Sequence, residues 1–248
     1  MRGVALLMGL LWVVGACAKP TSEVEAVLTQ LGSEVEQRLR ARFELAGVTY
    51  PPRRVQLIAF KESRRLELWS YQDSAWRFIH DYAVFAASGG TGPKLREGDR
   101  QVPEGFYRIV ALNPNSHFHL SMKLNYPNAY DWIQANKEGR GAPGSNIFIH
   151  GSAWSAGCLA VGNRYIEELF YLVARVGMDR SAVLIAPYDF RAGEAAARTT
   201  EGPQWLEELY AYLRLRLARF PLAQKQRLCP PGCRGSNARR KAVPDEVR

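Results

Sequence analysis

Ile147-Phe148-Ile149-His150-Gly151-Ser152-Ala153-Trp154-Ser155-Ala156-Gly157-Cys158 is a short apolar run that delivers a histidine, followed by a loop of small residues that ends on a cysteine. Alternation along residues 146–150 predicts a buried strand, with Phe148 and His150 on one face and Ile147 and Ile149 on the other. Gly151 opens the loop, which is short enough to fold back and bring Cys158 beside His150. A cysteine that can pass its proton to a histidine becomes a thiolate, the reactive form. Gly157 lets the backbone turn so that the amides of Gly157 and Cys158 can aim at one point, as an acyl-transfer oxyanion requires. Ser155 has a short hydroxyl suited to fixing that loop.

Working outward, short alternating runs at 55–60, 65–69 and 76–80 read as strands of a β-meander, the third extending to about residue 87. Further strands are predicted at 106–112, 117–123 and 182–186. Helices are predicted at 22–45, 164–176 and 205–220, the second with Ile166, Leu169, Phe170 and Val173 inward. Ser88-Gly89-Gly90-Thr91-Gly92-Pro93-Lys94 is rich in glycine, but the lysine follows proline and no Ser or Thr follows it. This excludes a phosphate loop and leaves a flexible loop as the reading. Residues 113–131 are dense in Asn, Pro and aromatics, with the 117–123 strand inside them.

The chain has 248 residues, 47% hydrophobic and 23% charged, enough for one good-sized core. Its net charge is +9, and residues 225–248 carry seven Lys or Arg against two Asp or Glu, a net +5. No base-reading motif accompanies this tail, so it reads as solvated and disordered, with no nucleic-acid partner. Residues 1–18 have the form of an export signal, with Arg2 before an apolar run too short to span a bilayer. Val14-Gly15-Ala16-Cys17 resembles a lipobox, which would make Cys17 a lipidated N-terminus, and Ala16-Cys17-Ala18 also fits ordinary signal cleavage. Cys229 and Cys233 flank Pro230-Pro231-Gly232 and could close a local disulfide, which leaves Cys158 alone.

His-Gly, a short loop and Ser-x-Gly-Cys together resemble the active-site motif of the L,D-transpeptidase catalytic (YkuD) domain, and in particular its YafK-like branch of exported murein enzymes. The resemblance extends through Phe60-Lys61, Leu66-Glu67-Leu68-Trp69, the 88–94 loop, Pro103-Glu104-Gly105-Phe106-Tyr107 and Tyr126-Pro127-Asn128-Ala129-Tyr130-Asp131, over about residues 55–176. It implies an α+β fold with a β-rich mixed sheet and flanking N- and C-terminal helices. The implied divisions are an N-terminal helix and linker at 19–52, a catalytic domain at 53–190, a helical extension at 191–220 and the tail at 221–248. It further implies Cys158 as nucleophile, His150 as base, the Gly157 and Cys158 amides as oxyanion donors, and Ser155 as their support. Gly151, His119, Tyr130 and Asp131 are the remaining candidate cleft residues. Ala156 stands where the wider family has His, and Leu159-Ala160 where an Arg is usual, departures that fit the YafK-like branch.

The chemistry so implied is cysteine acyl transfer at L,D-type bonds of peptidoglycan stem peptides, by hydrolysis or transpeptidation, without a cofactor. It would operate on the periplasmic side of the envelope, with release of a wall-tethered lipoprotein as one outcome. The only membrane contact expected is the lipid anchor. Two rivals stand beside this reading. His117 and His119, two apart on a strand, could join His150 and Cys158 in a zinc site. A wall-binding lipoprotein that keeps the fold without catalysis is the other.

Overall fold

Ser22 accepts the Glu25 amide on its hydroxyl at 3.2 Å, which caps helix α1 (Glu23–Leu45). The computed structural model describes residues 22–192 and 202–222. The export segment with Cys17, the Cys229/Cys233 pair and the basic tail from residue 223 onward lie outside the described residues. Leu28, Val35, Leu39 and Phe43 form the buried stripe of α1. None of the described helices is long and apolar enough to cross a membrane.

Nine strands follow: β1 (Val55–Phe60), β2 (Arg65–Gln72), β3 (Ala75–Ala83), β4 (Ala86–Ala87), β5 (Gly105–Ser116), β6 (His119–Leu124), β7 (Phe148–His150), β8 (Leu159–Ala160) and β9 (Ser181–Ala186). They make one mixed sheet in the order β3-β2-β1-β9-β5-β6-β7-β8-β4. The meander is present as β1-β2-β3, but β9 returns to lie between β1 and β5, parallel to β1. Every residue of β1 is buried. Leu57 and Ala59 meet the core under α1 and α3 (Asn163–Val176), while Ile58 and Phe60 meet α4 (Leu206–Leu217) on the other face.

Several expectations need correction. The third strand does not run on to residue 87. It stops at Ala83, and β4 pairs with β8 at the far edge of the sheet. The first and last strands of the order are thus only two residues apart in the chain, so the sheet must curl back on itself. Residues 129–137, given no structure from sequence, form α2 (Ala129–Lys137). Its start is a capping box: Asn128 Oδ1 accepts the Asp131 amide at 3.1 Å, and Asp131 Oδ2 accepts the Asn128 amide at 2.8 Å. His117 and His119 do not share a strand face, because His117 lies in the β5–β6 turn and His119 begins β6 at a φ of 75°.

Glu168 of α3 is wholly buried and carries three partners: Arg38 Nε at 2.9 Å, Arg42 Nε at 2.9 Å and the Tyr82 hydroxyl at 3.2 Å. This carboxylate ties α1 to α3 and to β3. Its removal leaves Arg42 without its carboxylate, while Arg38 keeps Glu34 and Glu167. Both guanidiniums are only 15–19% exposed, so water relieves part of the cost. Glu168→Ala is expected to lower unfolding stability by about 2–3 kcal/mol, read as a drop in the urea midpoint at unchanged slope.

Candidate active site

β7 and β8 run parallel, with Ile149 opposite Leu159 and His150 opposite Ala160. Ile149 and Leu159 are in the core beneath α3. Strand alternation therefore turns His150 and Cys158, the residue just before β8, to the opposite face. The two sit diagonally across neighbouring strands, about 8 Å apart at Cα by strand geometry. The two share a sheet face, but the side-chain hydrogen bond that the sequence anticipates is not formed.

His150 is 2% exposed, and its Nδ1 lies 2.6 Å from the Gly151 carbonyl oxygen. That contact makes Nδ1–H the donor, which leaves the lone pair on Nε2 free to take a proton. Gly151 is required by space: a Cβ there would sit 2.4 Å from the Phe118 carbonyl and 2.8 Å from Asn163 Oδ1. The Phe118 ring covers His150 at 4.6 Å and stacks in turn on the exposed Trp154 at 6.1 Å. Burial pushes the His150 pKa below its ordinary value, so the imidazole is neutral at neutral pH.

Cys158 is half-buried, with Sγ 3.8 Å from the Asn146 carbonyl. Burial raises its pKa, and the Phe148 backbone and the charge of Lys94 oppose that only in part. Burial thus disfavours the charged form of each group, which favours a thiol and a neutral imidazole over a thiolate–imidazolium pair. Lys94 is itself buried and held by Asp99.

Ser155 grips the cysteine backbone twice: its Oγ accepts the Cys158 amide at 3.1 Å and donates to the Cys158 carbonyl at 2.7 Å. The Gly157 amide donates to Ser88 Oγ at 2.6 Å, and the two serine oxygens lie 3.2 Å apart. The amides expected to stand free for an oxyanion are thus both engaged by hydroxyls. Gly157 has a φ of +108°, which a residue with a side chain would adopt only under strain.

Residues 88–104 are not a loose loop. Lys61 Nζ, buried at the end of β1, donates to the Gly92 and Val102 carbonyls at 2.7 and 2.8 Å and pairs with Glu104 at 3.0 Å. Glu104 in turn accepts the Gly92 amide and the Tyr210 hydroxyl of α4. Gln101 Nε2 donates to the Gly90 and Gly92 carbonyls. Ser88 reaches Gly157 because this loop is pinned. No local pattern could have revealed a contact across 69 residues of chain.

The remaining candidates are elsewhere. His119 Nε2 pairs with Glu167 at 2.8 Å. Asp131 serves the capping box, and burial lifts its carboxyl to about 6. Tyr130 packs on Trp205 and, with Asp131, lines a cavity of about 400 Å³ under α4. Among the described residues no three His, Cys, Asp or Glu side chains are grouped as metal ligands. The placement of His117 in a turn and His119 at the start of β6 removes the shared strand face on which the zinc alternative was argued.

Residues 54–185 match the L,D-transpeptidase catalytic domain (YkuD). The chain belongs to this family. Within the family it is similar to the Escherichia coli K12 protein named "Putative L,D-transpeptidase YafK", at 29% identity over 79% of this chain and 74% of that protein. Among solved structures it is similar to the helical cell shape determining protein Pgp2 from Campylobacter jejuni, at 22% identity and a TM-score of 0.46, over 67% of this chain and 57% of that one. Bd1075 from Bdellovibrio bacteriovorus is similar at 20% identity and a TM-score of 0.41, over 69% of this chain and 57% of that one. The chain thus spans somewhat over half the length of these two solved structures. The expected α+β mixed-sheet domain is the fold found.

The raised thiol pKa has a direct consequence. Iodoacetamide should modify Cys158 more slowly than a free thiol at neutral pH, with a rate that still climbs as pH passes the ordinary thiol value of 9.0. A rate profile levelling off near neutral pH would contradict a thiol resting state.

Proposed function

We propose that this chain is an exported cysteine acyl-transfer enzyme acting at L,D-type bonds of peptidoglycan stem peptides. The observation that carries the reading is the pinned imidazole. The Gly151 carbonyl holds Nδ1–H, and the free Nε2 lies on the same sheet face as Cys158. Membership of the L,D-transpeptidase catalytic domain family supports the substrate class.

The carbonyl of the scissile amide enters beside Cys158. As Sγ attacks, its proton passes to His150 Nε2, so thiolate forms only as it is consumed. The tetrahedral oxyanion takes the Gly157 and Cys158 amides once the Ser88 and Ser155 hydroxyls rotate away. The C–N bond breaks, and the leaving amine takes the proton from Nε2. The thioester is then resolved by water, which gives hydrolysis, or by a second amine, which gives transpeptidation, with His150 again accepting the proton. Release of a wall-tethered lipoprotein is the hydrolytic outcome when the leaving amine belongs to that protein. In this reading Cys17 carries the lipid anchor and the domain works on the periplasmic side of the envelope.

Defined muropeptides, with and without a tethered lipoprotein peptide, are the test substrates, with products read by mass spectrometry. Loss of a terminal D-amino acid or of the tethered peptide marks hydrolysis, and a mass equal to two joined stems marks transpeptidation. Cys158→Ala is expected to abolish either product with the fold intact, and undiminished turnover in that variant would sink the mechanism. The pH profile has a defined sign. Because burial lowers the His150 pKa, kcat/KM should hold as pH falls through 6.5 and decline only below it. A decline that begins above 6.5 would remove His150 as the base.

A further inference from the structure

Where α4 ends, the described residues leave a cleft of about 320 Å³ on the sheet face opposite α1 and α3. Five arginines line it from four separate parts of the chain: Arg54 before β1, Arg108 on β5, Arg180 before β9, and Arg216 and Arg219 at the end of α4. Arg54, Arg108, Arg216 and Arg219 have no carboxylate partner among the described residues. Arg180 has only Asp179, at 3.9 Å and 82% exposed. One wall is aromatic, with the Tyr71 and Trp76 rings 5.2 Å apart and Trp76 and Phe220 5.0 Å apart. Arg216 is held in place over the Phe106 ring at 4.6 Å. None of the lining residues is shared with the Cys158 site.

We infer that this cleft is a binding site for a phosphate-bearing ligand. Like charges converging from four segments repel one another, and a concave wall dominated by one sign, with the exposed Asp179 the acid among its described lining, focuses its field on an incoming anion. A guanidinium presents a planar fork of donors matched to phosphate or carboxylate oxygens. Phosphate brings about two negative charges to one centre, which suits five guanidiniums around one small cavity better than a lone carboxylate does. The aromatic wall offers a face for the apolar part of the same ligand. The ligand is either the phosphate headgroup of a lipid or a small phosphorylated molecule.

The test is calorimetric titration of the full-chain protein with inorganic pyrophosphate. Arg54→Ala/Arg108→Ala/Arg219→Ala removes three guanidiniums that have no ion-pair partner, so the fold should survive, as circular dichroism would verify. Arg77→Ala/Lys137→Ala/Arg164→Ala removes the same charge from exposed positions outside the cleft. The cleft triple variant should weaken binding at least about tenfold and the control less than about twofold, since paired contacts and not net charge supply the affinity. Phosphatidylcholine vesicles with and without phosphatidic acid separate the sources. Capture by the acidic vesicles that pyrophosphate competes away identifies a headgroup, and pyrophosphate binding without capture identifies a soluble phosphate. Equal loss in both triple variants, or no pyrophosphate binding by the unaltered protein, would overturn the assignment.

Discussion

The parallel pairing of β7 with β8 is the constraint on which the site depends. Two residues of β8 are enough, because Leu159 is buried against Ile149 and each apolar side chain so buried contributes about 2 kcal/mol. Strand period then determines the rest. With Ile149 and Leu159 facing the core, His150 and Cys158 can only share the opposite face. A slip of one residue in this register would bury the cysteine and expose the leucine.

That register would still leave the cysteine loop unsupported without the 88–104 segment. Its anchor is the buried Lys61–Glu104 pair, at 3.0 Å, which also gathers two backbone carbonyls and the hydroxyl of Tyr210. One ion pair thereby links β1, the glycine-rich loop and α4, and its far end presents Ser88 to Gly157. The C-terminal helix contributes to the site through this linkage without touching it. The same helix, by stopping at Leu217, leaves the arginine cleft open on the shared face.

Much of this was legible before any coordinates. The helix faces at 22–45 and 164–176 follow from hydrophobic period, since each buries an apolar face, while strand 55–60 is recognisable as an apolar run that is buried on both faces. The placement of His150 and Cys158 on one sheet face follows from a strand, a glycine and a short loop. What period could not convey was long-range geometry. The insertion of β9 beside β1, the departure of β4 to the opposite edge, and the contact of Ser88 with Gly157 are set by packing between distant segments. Helix α2 was missed for a local reason. Its capping box at Asn128 and Asp131 was in plain view, but the surrounding Asn, Pro and aromatic residues read as a turn. The resting protonation state was also out of reach, because the burial that raises the thiol and lowers the imidazole is a property of the folded surface.

The central claim is covalent: Cys158 carries the acyl group between donor and acceptor. The most direct measurement is the intact mass of the full-chain protein, acid-quenched within the first turnovers on a defined muropeptide, followed by digestion to locate any adduct. The account predicts a thioester confined to the peptide that contains Cys158, formed more slowly in His150→Ala. Product released at full rate with no adduct on Cys158, or an adduct on another residue, would contradict it.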